Sequence, residues 1–293
     1  MSSFQQSKAP EDSAAELFTP LPIKRLLFNS GMTALAFALT GLALIPLLSI
    51  LWEILRRGMS SIRLNMFVKS VIDDGFGNAI LGTLVMVGIA SLLSIPLGVV
   101  TGIFLAEFGR GTKIVNFVRF VTMILTGVPS IIAGVFAYGV IVLSAKGFSA
   151  VAGGFALAVI MLPIIVLTTE ETLKLIPNDQ RLASAALGAT RFQTIFRVIV
   201  AAAIPGITTG VLLAVARAAG ETAPLLFTAL FSLDWSQDLF SPTASMSVLI
   251  FNLYNDPSPE RNRLIWTASI ILLTLVVAIN LSSRFLTQKR IKS

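Results

Sequence analysis

The sequence contains neither cysteine nor histidine among its 293 residues. Without cysteine there can be no disulfide and no thiolate metal site, and without histidine the commonest proton shuttle and metal ligand is missing. Charged residues are also scarce, at 13%, whereas a soluble domain carries about a quarter. We therefore expect no metal ion, no cofactor and no enzyme active site, and a soluble globular domain is excluded.

A nucleotide-binding loop is missing as well. The pattern GxxxxGK[ST] does not occur, and the nearest fragment, GRGTK at 109–113, lacks the spacing that wraps backbone amides around phosphates. The chain should therefore neither bind nor hydrolyse ATP on its own. Its first residues are polar and of mixed charge, so we also expect no cleavable signal peptide.

Long apolar stretches dominate what is present. Hydrophobic residues make up 55% of the chain, and the mean hydropathy is +0.86. Several stretches reach roughly 20 residues, which is enough to cross a bilayer core of about 30 Å. The pattern predicts an all-α membrane protein with six transmembrane helices, with Gly127, Pro129 and Gly134 allowing a kink or close approach in the third and Pro163 breaking the fourth. The six spans are expected at about 31–55, 78–105, 117–144, 150–169, 204–230 and 264–286.

The distribution of Lys and Arg sets the expected topology. With six spans both termini share one side, and the larger number of basic residues on that side favours the cytoplasm, although segment 56–69 goes against this bias. The net charge of +7 then reflects cytoplasmic loops, so no nucleic acid partner is expected. The predicted order is a cytoplasmic tail at 1–27, a first transmembrane helix at 31–55, a periplasmic segment at 56–77, a transmembrane domain at 76–286 with a cytoplasmic loop at 170–201, and a tail at 287–293.

The loop 170–201 has the features of two short helices. Pro177 stops the preceding helix, Asn178 or Asp179 can cap a new helix over 179–187, and Gly188 can end it in a left-handed turn. A second amphipathic helix follows, with one apolar face made of Phe192, Ile195, Phe196 and Ile199. Such an element can insert into a cleft of a cytoplasmic partner, or it can lie at the membrane interface and cap the bundle.

The fifth span contains two full charges, Arg217 and Glu221. Their i, i+4 spacing places them on one helical face, and each costs about 2.5–3.5 kcal/mol at a helix centre, so they should face the protein interior or water. Pro224 predicts a kink beside them. A guanidinium binds an oxyanion and Glu221 would compete for it, which indicates an anion path; the other interpretation is a salt bridge that fixes helix packing.

Hydroxyl and carboxylate side chains provide weaker candidates. Thr126 and Ser130 flank Pro129 and can line a path, or they can satisfy backbone groups that the proline frees. Glu170 and Glu171 end the fourth span, where charges usually anchor the interface, and we assign them no chemistry.

The segment SAALGATRFQTIFRVIVAAAIPG resembles the cytoplasmic loop of type I, binding-protein-dependent ABC importer permeases, the MetI-like fold. It keeps Ala183, Leu187, Gly188 and Ala189 of that motif but has Leu182 where the family has Glu, and Ala201 where it has Pro. The resemblance implies that 179–189 is the coupling helix, seated in a groove of a separate ATPase. The implied coupling residues are Asp179, Ala183, Ser184, Leu187, Gly188 and Ala189.

The segment RAAGETAPLLFTA resembles the permeases of the phosphate ABC importer, and the order of segments is similar to the PstA type. The resemblance implies that Arg217 and Glu221 lie on the phosphate path. Thr222 belongs to the same motif, and its hydroxyl can donate to an oxyanion or bond back to the carbonyl of Ala218.

The same resemblance implies the environment and the partners of the chain. It places the chain in the bacterial inner membrane, with membrane lipid around it and phosphate as cargo. The implied protein partners are a second permease of the PstC type, a dimer of PstB-type ATPase subunits and a PstS-type periplasmic phosphate-binding protein. Importers of sulfate or molybdate, an ATP-independent anion channel or secondary carrier, and a membrane enzyme are the alternatives.

Overall fold

The structure is a computed structural model that describes residues 22–59, 62–109 and 111–291, without the side chains of 259, 260, 262, 263 and 282–291. Residues 1–21 of the predicted N-terminal tail and residues 292–293 of the predicted C-terminal tail lie outside the described residues. The chain divides into two compact units, with the boundary between Glu53 and Ile54 inside the first helix.

The described part of the first unit belongs almost entirely to helix α1, Ile23–Gly58, which contains Pro46. Its 36 residues extend about 54 Å at 1.5 Å per residue, which exceeds the bilayer core of about 30 Å. The side chains from Ile23 to Ile50 are exposed and mostly apolar, as lipid-facing side chains are. The predicted span at 31–55 lies inside this helix.

The described part of the second unit is helical, without strands. Two 3₁₀ turns, Leu64–Phe67 and Val71–Asp73, precede the longer helices. The helices are α2 (Gly77–Phe108), α3 (Lys113–Gly127), α4 (Ser130–Ala145), α5 (Ala150–Lys174), α6 (Asn178–Ala186), α7 (Arg191–Gly220), α8 (Ala223–Thr228), α9 (Met246–Tyr254) and α10 (Pro259–Ile291).

The number of candidate spans agrees with the expected six. Five described helices are long and apolar enough to cross a membrane: α1, α2, α5, α7 and the Leu264–Leu281 part of α10. The sixth is the pair α3 and α4, which are bent by 107° at the break between them. The all-α membrane fold is therefore confirmed.

Helix α5 lies at the centre of the second unit, packed between α2 and α7. Glycines bring the backbones together, because a Cβ on Gly98 would lie 2.7 Å from Ile165 and one on Gly102 would lie 2.6 Å from Thr169. Gly210 of α7 meets Thr168 in the same way. Small residues at crossings allow close van der Waals packing, which drives helix association in lipid.

Two helices continue where the sequence predicted interruptions. Helix α5 runs through Pro163 to Lys174, so the fourth span is not broken and residues 170–174 belong to a helix. Helix α7 begins at Arg191 and runs through Pro205, so the predicted amphipathic helix and the fifth span are one element. Prolines are tolerated inside such helices because neighbouring helices and Thr side chains satisfy the freed backbone groups.

The polar segment between α8 and α10 is also more ordered than predicted. Helix α9 forms inside it, capped by Ser245, whose hydroxyl accepts from the N–H of Val248. Met246 and Leu249 are buried, so this helix packs into the bundle. The side-chain amide of Asn78 donates to the carbonyls of Ser232 and Asp234 and so pins the preceding loop to the start of α2.

The third span is divided into two separate helices, which is a larger interruption than the predicted kink. Val128 has an extended backbone, with φ −72° and ψ 127°, between α3 and α4. The ring of Pro129 disfavours the helical conformation for the residue before it, so α3 must end there. Helix α4 then starts at Ser130 in a new direction.

Candidate functional site

The charged pair lies at a second break in the helices. Helix α7 ends at Gly220, and Glu221 is extended, with φ −71° and ψ 134°. Pro224 lies in the first turn of α8, where its fixed φ suits a helix start and its missing N–H costs nothing. The prediction of one kinked helix through Pro224 is therefore wrong, because this proline begins a new helix.

Arg217 and Glu221 remain close across this break. Nε of Arg217 lies 3.4 Å from Oε1 of Glu221, and the side chain of Arg217 is 53% exposed while that of Glu221 is 15% exposed. The hydroxyl of Ser247 on α9 donates to the carbonyl of Glu221 at 2.7 Å. The guanidinium is thus accessible, whereas the carboxylate is sheltered and its backbone is held.

The two breaks contact each other through small residues. A Cβ on Gly134 of α4 would lie 2.6 Å from Cα of Pro224 in α8. The predicted close approach at Gly134 is therefore observed. This contact brings the start of α4 beside the segment that carries Arg217 and Glu221.

A cavity of about 280 Å³ lies at this junction, and we name it the Arg217 cavity. Three of the predicted path residues, Arg217, Thr126 and Ser130, line it. The hydroxyl of Thr126 also donates to the carbonyl of Met123 at 2.6 Å, so it satisfies backbone as well. The other lining residues are apolar: Leu125, Val128, Ile132, Ala133, Phe136, Val159, Ile160, Pro163 and Ile164.

Thr222 behaves differently from the other path candidates. It precedes α8, and its carbonyl accepts from the N–H groups of Leu225 and Leu226. The hydroxyl of Thr222 makes no hydrogen bond to the carbonyl of Ala218, which accepts from the N–H of Glu221 at 3.2 Å. Thr222 is not one of the described residues that line the Arg217 cavity.

The predicted coupling helix is present as α6, with a different start. Pro177 occupies the capping position without a side-chain hydrogen bond, so the predicted cap by Asn178 or Asp179 is wrong. The Oδ1 of Asn178 instead accepts from Arg181 at 3.4 Å. Gly188 has φ +79°, which confirms the predicted left-handed turn.

The outer surface of α6 is open and carries two exposed leucines among polar and small residues. The predicted residues Asp179, Ala183, Leu187 and Gly188 are exposed and Ala189 is partly exposed. Leu182, in place of the family's Glu, is 68% exposed and Leu187 is 89% exposed.

The inner side of α6 is tied to α7. Ser184 is buried, and its hydroxyl lies 2.9 Å from that of Thr194 in α7. Thr190 and Gln193 form a reciprocal capping box that starts α7, and the T-x-x-Q spacing was a signal in the sequence. The predicted apolar face of this segment is divided, because Ile195 and Ile199 are buried whereas Phe192 and Phe196 are exposed, with their tilted rings 4.4 Å apart.

An ion pair between α6 and α2 was not predicted. Arg181 donates to both oxygens of Glu107, at 2.5 and 3.4 Å, and to the carbonyls of Leu173 and Ile176. Arg191 donates to the backbone carbonyl of Glu107. Glu107 is buried at the end of α2. Its position among apolar residues in FLAEF was the available signal, because a carboxylate there needs a partner.

Glu170 was assigned no role, yet it is fully buried. It pairs with Arg119 of α3 at 2.5 Å and with Lys174 at 3.0 Å. Its neighbour Glu171 is exposed and contacts Lys174 at 2.8 Å, as an interfacial charge would. The pattern of the sequence does not separate these two carboxylates, because only the position of α3 makes one of them internal.

Comparisons with known proteins agree with this architecture. The family described as "Binding-protein-dependent transport system inner membrane component" matches residues 98–292. The phosphate transport system permease protein PstA of Haemophilus influenzae is 38% identical over 266 residues, covering 89% of this chain and 94% of the relative. The phosphate transport system permease protein PstA 1 of Mycobacterium tuberculosis (strain CDC 1551) is 35% identical over 288 residues, covering 94% of each.

Solved structures show the same fold at low sequence identity. A chain of the MetNI methionine ABC transporter in an inward-facing conformation has a TM-score of 0.57 and 19% identity, covering 72% of this chain and 94% of that chain. A chain of a bacterial ABC transporter involved in the import of the acidic polysaccharide alginate has a TM-score of 0.55 and 17% identity, covering 90% of this chain and 99% of that one.

Proposed function

Because the chain belongs to the binding-protein-dependent transport system inner membrane components, and among them to the PstA-type phosphate permeases, we propose that Arg217 binds phosphate on its way through the membrane. The observation that carries this proposal is the accessible guanidinium of Arg217 in a cavity formed where two broken helices meet. The chain is a transport subunit, and the cavity lies within its bundle.

The groups around the cavity suit an oxyanion. A guanidinium offers a planar fork of donors that matches phosphate oxygens. The first turn of α4 lines the cavity, and its free N–H groups give the N-terminus a partial positive charge. The hydroxyl of Ser130 adds a donor, while the apolar remainder of the wall strengthens these electrostatic interactions.

Glu221 gives the site a means of release. Its carboxylate lies beside Arg217 and competes with phosphate for the guanidinium. Phosphate displaces the carboxylate on entering, and the carboxylate displaces phosphate on leaving. This role needs Arg217 and Glu221 to be in contact, and their Nε and Oε1 atoms lie 3.4 Å apart.

Movement of the ATPase reaches the cavity through α6. Leu182 and Leu187 present an apolar surface to the groove of a PstB-type ATPase dimer. Because Ser184 binds Thr194, displacement of α6 is passed to α7, which carries Arg217. ATP and the loaded binding protein then shift the bundle between two packings, as alternating access requires.

The remaining partners in this proposal are those that the PstA-type family implies. A PstC-type permease completes the path, and a PstS-type protein delivers phosphate to the surface opposite α6, which includes the loop pinned by Asn78. Both termini lie in the cytoplasm, on the side of α6.

Uptake competition in proteoliposomes tests the proposal. The complete complex is reconstituted with ATP and the binding protein, and uptake of labelled phosphate is measured against unlabelled phosphate, arsenate, sulfate and molybdate. We expect phosphate and arsenate to compete and sulfate and molybdate not to. Undiminished phosphate uptake without ATP would instead identify a carrier or channel, and competition by sulfate would identify a different cargo.

A further inference from the structure

The carboxylate of Glu170 uses only one of its two oxygens. Oε1 accepts from Nε and Nη2 of Arg119, at 3.0 and 2.5 Å, and lies 3.0 Å from Nζ of Lys174. Oε2 is buried and has no hydrogen-bond partner among the described residues. Buried polar atoms are nearly always hydrogen-bonded, so an oxygen of this kind marks a place where a further donor fits.

Glu170 lies at the end of a groove that starts at the Arg217 cavity. Pro163, Val166 and Glu170 are at i, i+3 and i+7 of α5, which places them on one face. A second cavity of about 250 Å³ is lined by Pro163 and Val166 and, on α3, by residues between Phe117 and Leu125. Because the two cavities share Leu125 and Pro163, they adjoin.

Arg119 lies beside this groove on α3. It follows Val118, which lines the second cavity, and it reaches across to Glu170 on α5, one turn beyond Val166. An Arg–Glu pair therefore lies next to each cavity: Arg217, paired with Glu221, lines the first, and Arg119–Glu170 adjoins residues that line the second. The second pair is the one nearest α6, since α5 ends at Lys174 shortly before α6 begins.

We propose that Arg119 and Glu170 form a second binding station for the transported anion, at the end of the groove nearest α6. The ligand class is a partly protonated tetrahedral oxyanion, which for this chain is hydrogen phosphate. Arg119 turns from Glu170 to the anion, and Oε2 of Glu170 accepts a hydrogen bond from a protonated oxygen of the anion. This station rests on the proposed function, because it receives the anion that Arg217 has released.

Lys174 makes the exchange of partners possible. A buried carboxylate that loses its only cation is strongly destabilised. When Arg119 leaves, Glu170 keeps the ammonium of Lys174 at 3.0 Å and remains paired. Both cations reach this carboxylate from more exposed positions, since the side chains of Arg119 and Lys174 are 34% and 40% exposed whereas that of Glu170 is 1% exposed. Arg119 is the one on α3, beside the groove.

The same geometry discriminates between oxyanions. Hydrogen phosphate carries a P–O–H group that can donate to Oε2, whereas fully ionised sulfate carries no donor. Sulfate would leave Oε2 unpaired and place its own negative oxygens against a carboxylate. A site built to receive a hydrogen bond rejects a ligand that cannot make it.

The absence of cysteine from the chain provides the test. Val118→Cys places a thiol in the second cavity, and Thr126→Cys places one in the Arg217 cavity. The complete complex is labelled with an anionic methanethiosulfonate in the presence or absence of inorganic phosphate, and the labelled peptides are quantified. We expect phosphate to slow labelling at both positions and sulfate to slow it at neither.

Removal of the guanidinium distinguishes the two stations. Arg119→Gln should abolish the protection of Val118→Cys by phosphate and leave that of Thr126→Cys unchanged. ATP-driven uptake should fall about tenfold or more, as expected for a lost charge-assisted hydrogen bond, while ATP hydrolysis stimulated by the loaded binding protein persists. Lys113→Gln, which removes an exposed charge from the same helix, should change neither readout.

The outcomes separate this proposal from the proposed function. Protection at Thr126→Cys without protection at Val118→Cys overturns the second station and retains the first. Protection at neither position, with no ATP-driven phosphate uptake by the unchanged complex, overturns both. Normal uptake by Arg119→Gln/Glu170→Gln, which keeps a neutral hydrogen-bonded pair, shows that the pair only ties α3 to α5.

A conservative variant guards against a failure to assemble. If Arg119→Gln does not assemble, Arg119→Lys keeps the charge but loses the planar fork. We expect it to assemble and to need about tenfold more phosphate for the same protection at Val118→Cys. An unchanged phosphate dependence would refute the contact between Arg119 and the anion.

Discussion

Gly134 lies against Pro224 so closely that a Cβ on the glycine would be 2.6 Å from the Cα of the proline. Each residue follows a break, Gly134 in the first turns of α4 and Pro224 in the first turn of α8. The contact therefore sets the distance between two helix starts, of which the start of α4 lines the Arg217 cavity. Any atom added here must push the two starts apart.

We predict that Gly134→Ala destabilises the bundle by about 1–3 kcal/mol, as overpacking of a tight core does. Phosphate uptake should fall as well, because Glu221 lies in the break directly before α8. The measurement is thermal unfolding in detergent together with ATP-driven phosphate uptake. Gly139→Ala is the matched control, since no atom lies within 4 Å of its added Cβ, and an equal loss in the control would contradict the prediction.

Arg217→Gln should reduce uptake by about ten- to a hundredfold, the loss of one charge-assisted hydrogen bond, with assembly unchanged. Arg217→Lys should retain part of the activity, because an ammonium keeps the charge and loses the fork. Uptake assays on purified complexes, with assembly checked by size-exclusion chromatography, measure both. Normal transport by Arg217→Leu/Glu221→Leu would show that the pair only packs the helices.

A substitution at Gly188 can distinguish an effect on the left-handed turn from an effect on the proposed contact with the ATPase. Its φ is +79°, and no atom of the described chain lies within 4 Å of an added Cβ. Asn tolerates this conformation, so Gly188→Asn should leave the stability of the permease within about 1 kcal/mol. It should nevertheless weaken co-purification with the ATPase, because the added side chain enters the docking surface.

Gly111→Asn is the control for Gly188→Asn. It has φ +81°, again with open space around an added Cβ. We expect this variant to retain the ATPase. Equal losses in the two variants would mean that the effect comes from the left-handed turn and not from the docking surface.

Glu107→Gln should uncouple hydrolysis from transport. The variant leaves Arg181 with weaker partners inside the bundle, which costs about 3–5 kcal/mol for a buried pair. Helix α6 then loses its tie to α2, and less phosphate is moved per ATP hydrolysed. The ratio of uptake to hydrolysis in proteoliposomes measures this. Glu171→Gln, at an exposed carboxylate, should keep the ratio.

Local signals in the sequence predicted much of the site. The i, i+4 spacing of Arg217 and Glu221 and the left-handed turn at Gly188 depend on neighbouring residues, and both are observed. Thr126 and Ser130 were predicted to line a path only because they flank Pro129, and both line the Arg217 cavity. Such features are readable because they arise within one turn of helix.

Features that depend on distant residues were missed. The partner of Glu107 is Arg181, and the partner of Glu170 is Arg119, so neither pair is visible in local spacing. The effect of each proline also depended on its surroundings. Pro129 divides two helices, whereas α5 runs through Pro163, as packed transmembrane helices allow.

The hydrogen bond from Ser247 to the carbonyl of Glu221 has a thermodynamic consequence. It joins α9 to the backbone of Glu221, the residue proposed to compete with the anion for Arg217. If docking of the proposed binding protein displaces α9, the free energy of docking and the affinity for the anion at Arg217 are linked, because linkage is reciprocal. In that case, occupancy of the Arg217 cavity changes the affinity for the binding protein by the same factor.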